Sequence, residues 1–274
     1  MTSDYWQDKV CVVTGASAGL GAAIARVLAA HGATVVLVAR HLEPLEQIAD
    51  TLRGLGGEVL AVAADLTVQQ DVENLAQQVV LRYGRVDLLC NCAGRSARGA
   101  ILDTTAEDFQ KLLDVNFLAA VRTTRAFAPM LMHQRGHVVQ IGSLASKVAA
   151  RFLGGYPASK FALAAYAQQL RMELGPEGLH VLLVCPGPIK RQHDESPRYA
   201  EEAAGLPEEA QQPGAGANLP GIDPTWLAER MLIACEKRRA ELIVPWKVRV
   251  LLILAQISPR LGDWLLRRAT SAES

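Results

Sequence analysis

Tyr156 and Lys160 stand four residues apart in the run Tyr156-Pro157-Ala158-Ser159-Lys160. At that spacing two side chains share one face of a helix. A free phenol has a pKa of about 10, too high to exchange a proton readily at neutral pH. A fixed ammonium beside it favours the phenolate and lowers that value. Such a pair can give a proton to a carbonyl oxygen or take one from an alcohol. Taken alone it says little, because Tyr-x-x-x-Lys arises by chance in many helices. Two further residues strengthen it. Ser143 follows the apolar run His137–Ile141 and lies thirteen residues before Tyr156. A hydroxyl there can hold a substrate oxygen and stabilise developing charge. Asn116, in Asp114-Val115-Asn116, falls inside a helical pattern, where Asn is mildly unfavourable and so calls for a reason.

A second constellation lies near the N-terminus. The apolar run Val10–Val13 ends in Thr14-Gly15-Ala16-Ser17-Ala18-Gly19-Leu20-Gly21. Glycines between a strand and a helix allow a sharp turn and a close backbone approach to a ligand. The N–H groups opening the helix, together with its dipole, suit a pyrophosphate. An ordinary glycine-rich turn is the alternative. The next apolar run ends in Ala39-Arg40, with no carboxylate to meet a ribose 2′-hydroxyl. A guanidinium at that point matches a 2′-phosphate instead, which favours NADP(H) over NAD(H). Ser17 and His41 are close enough in sequence to assist.

The elements that must position these residues follow from periodicity. Strands are expected at Lys9–Thr14, Ala33–Ala39, Glu58–Ala63, Val86–Cys90, His137–Ile141, His180–Cys185 and Glu241–Val244. Helices are expected at Leu20–His31, Leu42–Leu55, Val68–Tyr83, Tyr156–Leu174 and Pro224–Lys237, and over Ala106–His133 with a break near Pro129. The strands are continuous apolar runs, the mark of strands buried on both faces. Alternation of strand and helix then predicts an α/β Rossmann fold: a doubly wound parallel sheet of about seven strands with helices on both faces.

The glycine spacing T-G-x-x-x-G-x-G resembles that of the short-chain dehydrogenase/reductase family, and the likeness continues in order to about residue 245. The family implies roles for further residues. Asp65, with Leu66, would meet the adenine. Asn91-Cys92-Ala93-Gly94 resembles the family's N-N-A-G segment along the cofactor ribose, with Cys92 in place of the second Asn. Pro186-Gly187-Pro188-Ile189 resembles the loop at the nicotinamide, although the family's Thr is replaced in the run Ile189-Lys190-Arg191. The resemblance implies Tyr156 as the proton donor and acceptor and Lys160 as its activator and ribose contact. Ser143 would position the substrate oxygen, and Asn116 would anchor a water relay. The cofactor-binding set is then Gly15, Ser17, Gly19, Leu20, Gly21, Arg40, Asp65, Leu66, Asn91, Ala93, Gly94, Tyr156, Lys160, Pro186, Gly187 and Ile189. The implied activity is NADP(H)-dependent interconversion of a carbonyl and a secondary alcohol. The alternatives are a 3-oxoacyl-carrier-protein reductase and a non-catalytic NADP-binding regulator. A homodimer or homotetramer is expected.

Composition bounds the rest. The 274 residues carry 28 basic and 28 acidic side chains, which leaves no global argument for a nucleic-acid partner. Cys11, Cys90, Cys92, Cys185 and Cys235 form no C-x-x-C pair and no zinc spacing, so reduced thiols and no metal are expected. The start Met1–Lys9 is polar and unlike a secretory signal, which makes the cytoplasm the default location. Residues 1–245 are expected as the Rossmann unit. Within it Lys190–Ile222, rich in Glu, Gln, Gly, Ala and Pro, falls where the family keeps a mobile substrate lid. Phe152, Leu153, Tyr199 and Leu206 could give apolar walls for a hydrophobic substrate. Residues 246–274 form a basic amphipathic tail, with Trp246, Val250, Ile253, Ile257, Leu261, Trp264 and Leu265 at helical spacing. Ser258-Pro259 predicts a division into two helices. The tail either packs on protein or contacts a membrane peripherally.

Overall fold

In the computed structural model, which describes residues 4–190, 201–211 and 219–270, seven strands form one fully parallel sheet. They are β1 (Val10–Thr14), β2 (Thr34–Ala39), β3 (Val59–Ala63), β4 (Leu88–Asn91), β5 (His137–Ile141), β6 (His180–Pro186) and β7 (Glu241–Val244). The spatial order is β3-β2-β1-β4-β5-β6-β7. The order reverses beside β1, and in open α/β sheets the ligand crevice lies outside the carboxyl ends of the strands at that switch point.

Helices cover both faces. Alternate residues of β1 serve opposite layers, as the two-residue period of a strand requires. Cys11 and Val13 pack with Leu28 of α1 (Gly19–Ala30) and Leu45 of α2 (Leu42–Gly54). Leu227 and Met231 of α8 (Pro224–Glu236) complete that layer. Val10 and Val12 pack on the other side with Leu75 of α3 (Gln69–Tyr83), Phe127 of α5 (Ala119–His133) and Ala167 of α6 (Tyr156–Leu174). The central strands are wholly buried, which explains their unbroken apolar runs.

Two sequence expectations need correction. The expected helix Ala106–His133 does not break at Pro129, which sits inside α5. It is interrupted earlier. α4 (Ala106–Leu113) passes into a π-helical turn at Asp114–Leu118, and α5 continues from it. Within 190–222, the described residues 201–211 carry helical turns, including the short α7 (Glu208–Gln211), in place of the expected irregular stretch. Tyr199 lies outside the described residues. Besides these, the N-terminal segment joins the core: a 3-10 turn, Asp4–Trp6, buries Trp6 completely and bonds its indole N–H to Glu236 at 2.9 Å. The tail divides as expected into α9 (Val248–Ile257) and α10 (Pro259–Thr270), with Ser258 between them in extended conformation.

Candidate active site

The glycine turn meets three distinct steric demands. Gly15 has φ +66°, and a Cβ there would stand 2.9 Å from the backbone of Ala93. A Cβ on Gly21 would lie 2.2 Å from the Gly15 carbonyl oxygen, so α1 could not pack this close to β1 with any other residue. Gly19 has φ +55° but faces open space, and a Cβ there would meet nothing within 4 Å. That space lies at the first turn of α1, whose opening N–H groups have no acidic side chain beside them. An anion fits such a place, both by shape and by the helix dipole.

Thr14 fastens this turn to the end of β4. Its hydroxyl accepts from the N–H groups of Cys92 and Ala93, each at 3.0 Å, and donates to the Cys90 carbonyl at 3.3 Å. Motif spacing does not single out Thr14 as a site residue; a hydroxyl at the buried end of an apolar strand is the signal that could have found it. Asn91 is buried, with both side-chain polar atoms taken by α5: Thr123 donates to its Oδ1 at 2.7 Å, and its Nδ2 donates to Thr124 at 3.1 Å. Its side chain therefore holds β4 against α5, while Ala93 and Gly94 form the backbone edge beside the glycine turn.

At the end of β2, Arg40 is exposed and has no hydrogen bond or ion pair with another described residue. Across from it, Thr67 donates to Asp65 Oδ1 through its N–H at 2.9 Å and its hydroxyl at 2.7 Å. Those bonds hold the Asp65 carboxyl below its usual range, with Arg40 and Arg122 helping. Leu66 is buried beside it. Beyond β6, Gly187 N–H bonds to the Val244 carbonyl at 2.8 Å, and Ile189 forms a parallel bridge with Ile222. The segment Pro186–Ile189 is thus pinned along β7 and the far end of the lid segment. On the near side, Arg98 is buried and its Nε donates to the Ala210 carbonyl at 2.9 Å, while Glu202 accepts from the Arg98 N–H at 3.2 Å. The described residues 201–211 are therefore tied to the loop after β4.

The proton-bearing residues converge where β4, β5, the π-turn and α6 meet. Tyr156 opens α6, its N–H bonded to the Leu153 carbonyl at 3.1 Å. Lys160, one turn on, is buried. Its Nζ donates to the Ile141 carbonyl at 2.8 Å and lies 5.8 Å from the Tyr156 ring centre. Burial lowers the Lys160 ammonium to about 8. Burial pushes the thiols of Cys92 and Cys185 up to about 12, so both stay neutral. Ser143 follows β5; its hydroxyl accepts from the Ala145 N–H at 3.1 Å, which leaves the hydroxyl proton to donate. The 3-10 turn after it packs on α6. Asn116 is buried in the π-turn. Its Nδ2 donates to the Arg95 carbonyl and to Ser159 Oγ, both at 2.9 Å, and its Oδ1 accepts from the Arg95 N–H at 2.8 Å. Ser159 in turn donates to the Tyr156 carbonyl at 2.7 Å. A Cβ on Gly94 would meet Asn116 Oδ1 at 2.8 Å and Lys160 Nζ at 3.6 Å, so β4, the π-turn and α6 all close on one point.

Comparison with known proteins agrees with this geometry. A family model described as short chain dehydrogenase matches residues 9–202. The chain is a member of the short-chain dehydrogenase/reductase family. It is 31% identical over 270 residues to the uncharacterized oxidoreductase YxnA of Bacillus subtilis, covering 96% of this chain and 72% of that one. Among solved structures it resembles a short-chain dehydrogenase/reductase from Burkholderia phymatum in complex with NAD. The TM-score is 0.81 at 25% identity, over 94% of this chain and 96% of the other. It also resembles a metagenomic short-chain oxidoreductase in complex with NADP, with TM-score 0.71 at 30% identity over 87% and 98% of the two chains. The chain is therefore an oxidoreductase of this family with a Rossmann fold, and its neighbours bind nicotinamide dinucleotides of both kinds.

One group away from the site was invisible in the sequence. His137, His180 and Cys235 are the only three metal-ligand side chains found together among the described residues. The histidine nitrogens are already engaged: Tyr5 hydroxyl to His137 Nε2 at 2.6 Å, His137 Nδ1 to His180 Nδ1 at 2.8 Å, and His180 Nε2 to the Arg239 carbonyl at 2.8 Å. The carbonyl only accepts, so His180 carries its proton on Nε2 and takes one at Nδ1 from His137. His137 then accepts from Tyr5. The chain of bonds is complete with both rings neutral.

Proposed function

We propose that this oxidoreductase uses NADP(H) to interconvert a carbonyl and a secondary alcohol on a hydrophobic substrate. The observation that carries the reading is Lys160: a buried cation between the Ile141 carbonyl and the Tyr156 ring, closed in by Asn116 and Gly94. A bound nicotinamide supplies or accepts the hydride. Tyr156 gives a proton to the carbonyl oxygen in reduction and takes it back in oxidation. Lys160 favours the phenolate and reaches the ribose. Ser143 donates its free hydroxyl proton to the substrate oxygen. The side chain of Asn116 is committed to Arg95 and Ser159, so its part in a proton relay falls to its backbone carbonyl, in a turn where the α-helical bonding pattern is displaced.

The glycine turn holds the pyrophosphate, with Ser17, Leu20 and the edge Ala93–Gly94 beside it, and Asp65 and Leu66 flank the adenine. Arg40, exposed and with no hydrogen bond or ion pair to another described residue, meets the 2′-phosphate and selects NADP(H). Pro186, Gly187 and Ile189 back the nicotinamide. Phe152, Leu153 and Leu206 line the substrate side. The enzyme acts in the cytoplasm as a homodimer or homotetramer, and its tail either packs on protein or contacts a membrane peripherally.

The test is oxidation of NADPH and of NADH over aldehydes and ketones graded by size and polarity. Faster turnover with NADPH and with the more apolar carbonyls is expected. A preference for NADH would overturn the cofactor assignment. Turnover of acyl-carrier-protein thioesters alone would make the chain a 3-oxoacyl reductase. Tight NADPH binding with no turnover on any carbonyl would make it a regulator.

A further inference from the structure

The tail helices expose a row of large apolar side chains. Trp246, Val250, Ile253 and Ile257 lie on or beside α9, and Leu261 and Trp264 on α10; all six are exposed, Trp246 and Ile257 each 71%. Only Leu252 of α9 is buried. Clusters of this size on a solvent-facing surface mark contact with something else. The two helices also pack on one another. A Cβ on Gly262 would stand 2.7 Å from the Ala255 carbonyl oxygen, so the glycine lets α10 lie close against α9. The result is a short hairpin, and a helix pair of ten and twelve residues is too short to cross a bilayer. No described helix is long and apolar enough to do so.

The charge around this surface tells what covers it. Lys247, Arg249, Arg260, Arg267 and Arg268 are exposed, and Asp263 is the only acid from 246 to 270. Arg268 stacks on Trp264 at 5.6 Å, which places a cation beside an indole at the rim of the apolar row. A second copy of this chain, neutral overall and carrying the same cations, would bring like charges together. An anionic bilayer accepts the aliphatic row and the tryptophans among its acyl chains and headgroups, and the cations pair with phosphate.

The hairpin also stands beside the segment that follows Ser143. A cleft of about 190 Å³ separates it from the segment after Ser143, with Val148 and Ala149 on one wall and Ala255, Pro259, Gly262 and Leu266 on the other. Val148 is bonded back to the Leu144 carbonyl, the residue next to Ser143, and Lys147 is ion-paired with Glu241 of β7. The loop carrying Ser143 is thereby fixed against the base of the tail.

We propose that the α9–α10 hairpin docks the protein on anionic lipid and that a bilayer-dissolved substrate reaches Ser143 and Tyr156 along this cleft. The docking stands on the hairpin alone; the entry route rests on the carbonyl–alcohol reading above. The experiment is co-sedimentation of the full chain with vesicles of phosphatidylcholine, with and without phosphatidylglycerol, at low and high salt. The same measurement is made on Ile253→Glu/Ile257→Glu, two exposed positions whose change should leave the melting temperature in place. Binding is expected only with phosphatidylglycerol, weaker at high salt, and reduced by about tenfold or more in the double variant. Reduction of a water-soluble carbonyl should be unchanged in that variant, while reduction of a long-chain ketone held in vesicles should fall with binding. Wild-type chain that stays in solution with both vesicle types overturns the docking, whatever its turnover. A wild-type dimer that the double variant dissociates, without vesicle binding, assigns the face to a second copy and also overturns it. Vesicle binding with equal turnover of the long-chain ketone in wild type and variant overturns the entry route alone.

Discussion

Replacing Lys160 by Met should stop turnover and yet leave the protein as stable as before, or more so. Lys160 is buried, and burial lowers it from 10.5 to about 8. A shift of about 2.5 units corresponds to roughly 3 kcal/mol by which the fold disfavours the ammonium relative to the unfolded chain. Met has similar length and no charge, so that cost disappears. Against this stands the bond from Nζ to the Ile141 carbonyl at 2.8 Å. Its loss leaves a buried acceptor without its donor, which costs about 1–3 kcal/mol. The balance is a gain of about 0–2 kcal/mol, or a rise in melting temperature of up to about 8 °C for a domain of this size. The pH dependence separates this from a packing effect. The folded-state pKa is depressed, so the unfolded chain binds the proton more tightly between pH 8 and 10.5. Wild-type stability from this group is lowest below about pH 8 and recovers as pH rises toward 10.5. The advantage of Lys160→Met should therefore shrink over that window. Thermal melts of both proteins between pH 7 and 10 measure it. A variant destabilised by more than about 2 kcal/mol at pH 7, or a difference independent of pH, would refute the reasoning.

Other consequences are open to similar measurement. Tyr156→Phe should lower turnover by about 10²–10⁴-fold, the scale of a lost general acid, with NADPH affinity little changed; retention of more than a tenth of the rate rules out the assigned role. Arg40→Ala should weaken NADPH binding by about 1.5–3 kcal/mol and barely alter NADH binding in titration calorimetry; equal loss for both would remove the 2′-phosphate contact. Carbonyl reduction by the wild type should decline as pH rises through about 8, where buried Lys160 loses its charge, and a flat profile to pH 10 would contradict that link. Burial lowers His137 to about 3 and also lowers His180, so the fold takes up protons at this pair less readily than the unfolded chain does below about 6.5. Melting temperature should accordingly fall between pH 7 and 5.5, and constancy there would show that the histidine chain tolerates charge.

The fold was legible because a strand buried on both faces leaves an unbroken apolar run, and six such runs alternate with helical patterns before β7. The candidate site was legible as a cluster because it depends on residue type and spacing: Tyr156 and Lys160 on one helical face, Ser143 just past a strand end, glycines where a Cβ cannot fit. Less was visible where tertiary contacts assign a role. Nothing in Asp114-Val115-Asn116 announces a π-turn, and Pro129 draws attention to the wrong place in that helix. Asn91 looks like a ligand contact in its motif, yet Thr123 and Thr124 take its side chain. Trp6 sits in a polar segment, and only the packing of α8 shows why it is buried. His137 and His180 are 43 residues apart in sequence and meet only because β5 and β6 are neighbours in register.

The π-turn at Asp114–Leu118 has a consequence for what insertions and deletions this chain can accept. Nineteen positions separate the buried Leu112 from the buried Leu131, whereas five ordinary helical turns take about 18. One residue is therefore surplus, and the widened turn is where the helix absorbs it. Removing a single residue from 114–118 would restore regular hydrogen bonding and keep the faces of α4 and α5 in phase. The local backbone would gain by the change, yet Asn116 would lose its hold on Arg95 and Ser159. A length variant of this kind should therefore keep its melting temperature while its turnover falls, an outcome that separates a turn kept wide for Asn116 from one needed only for packing.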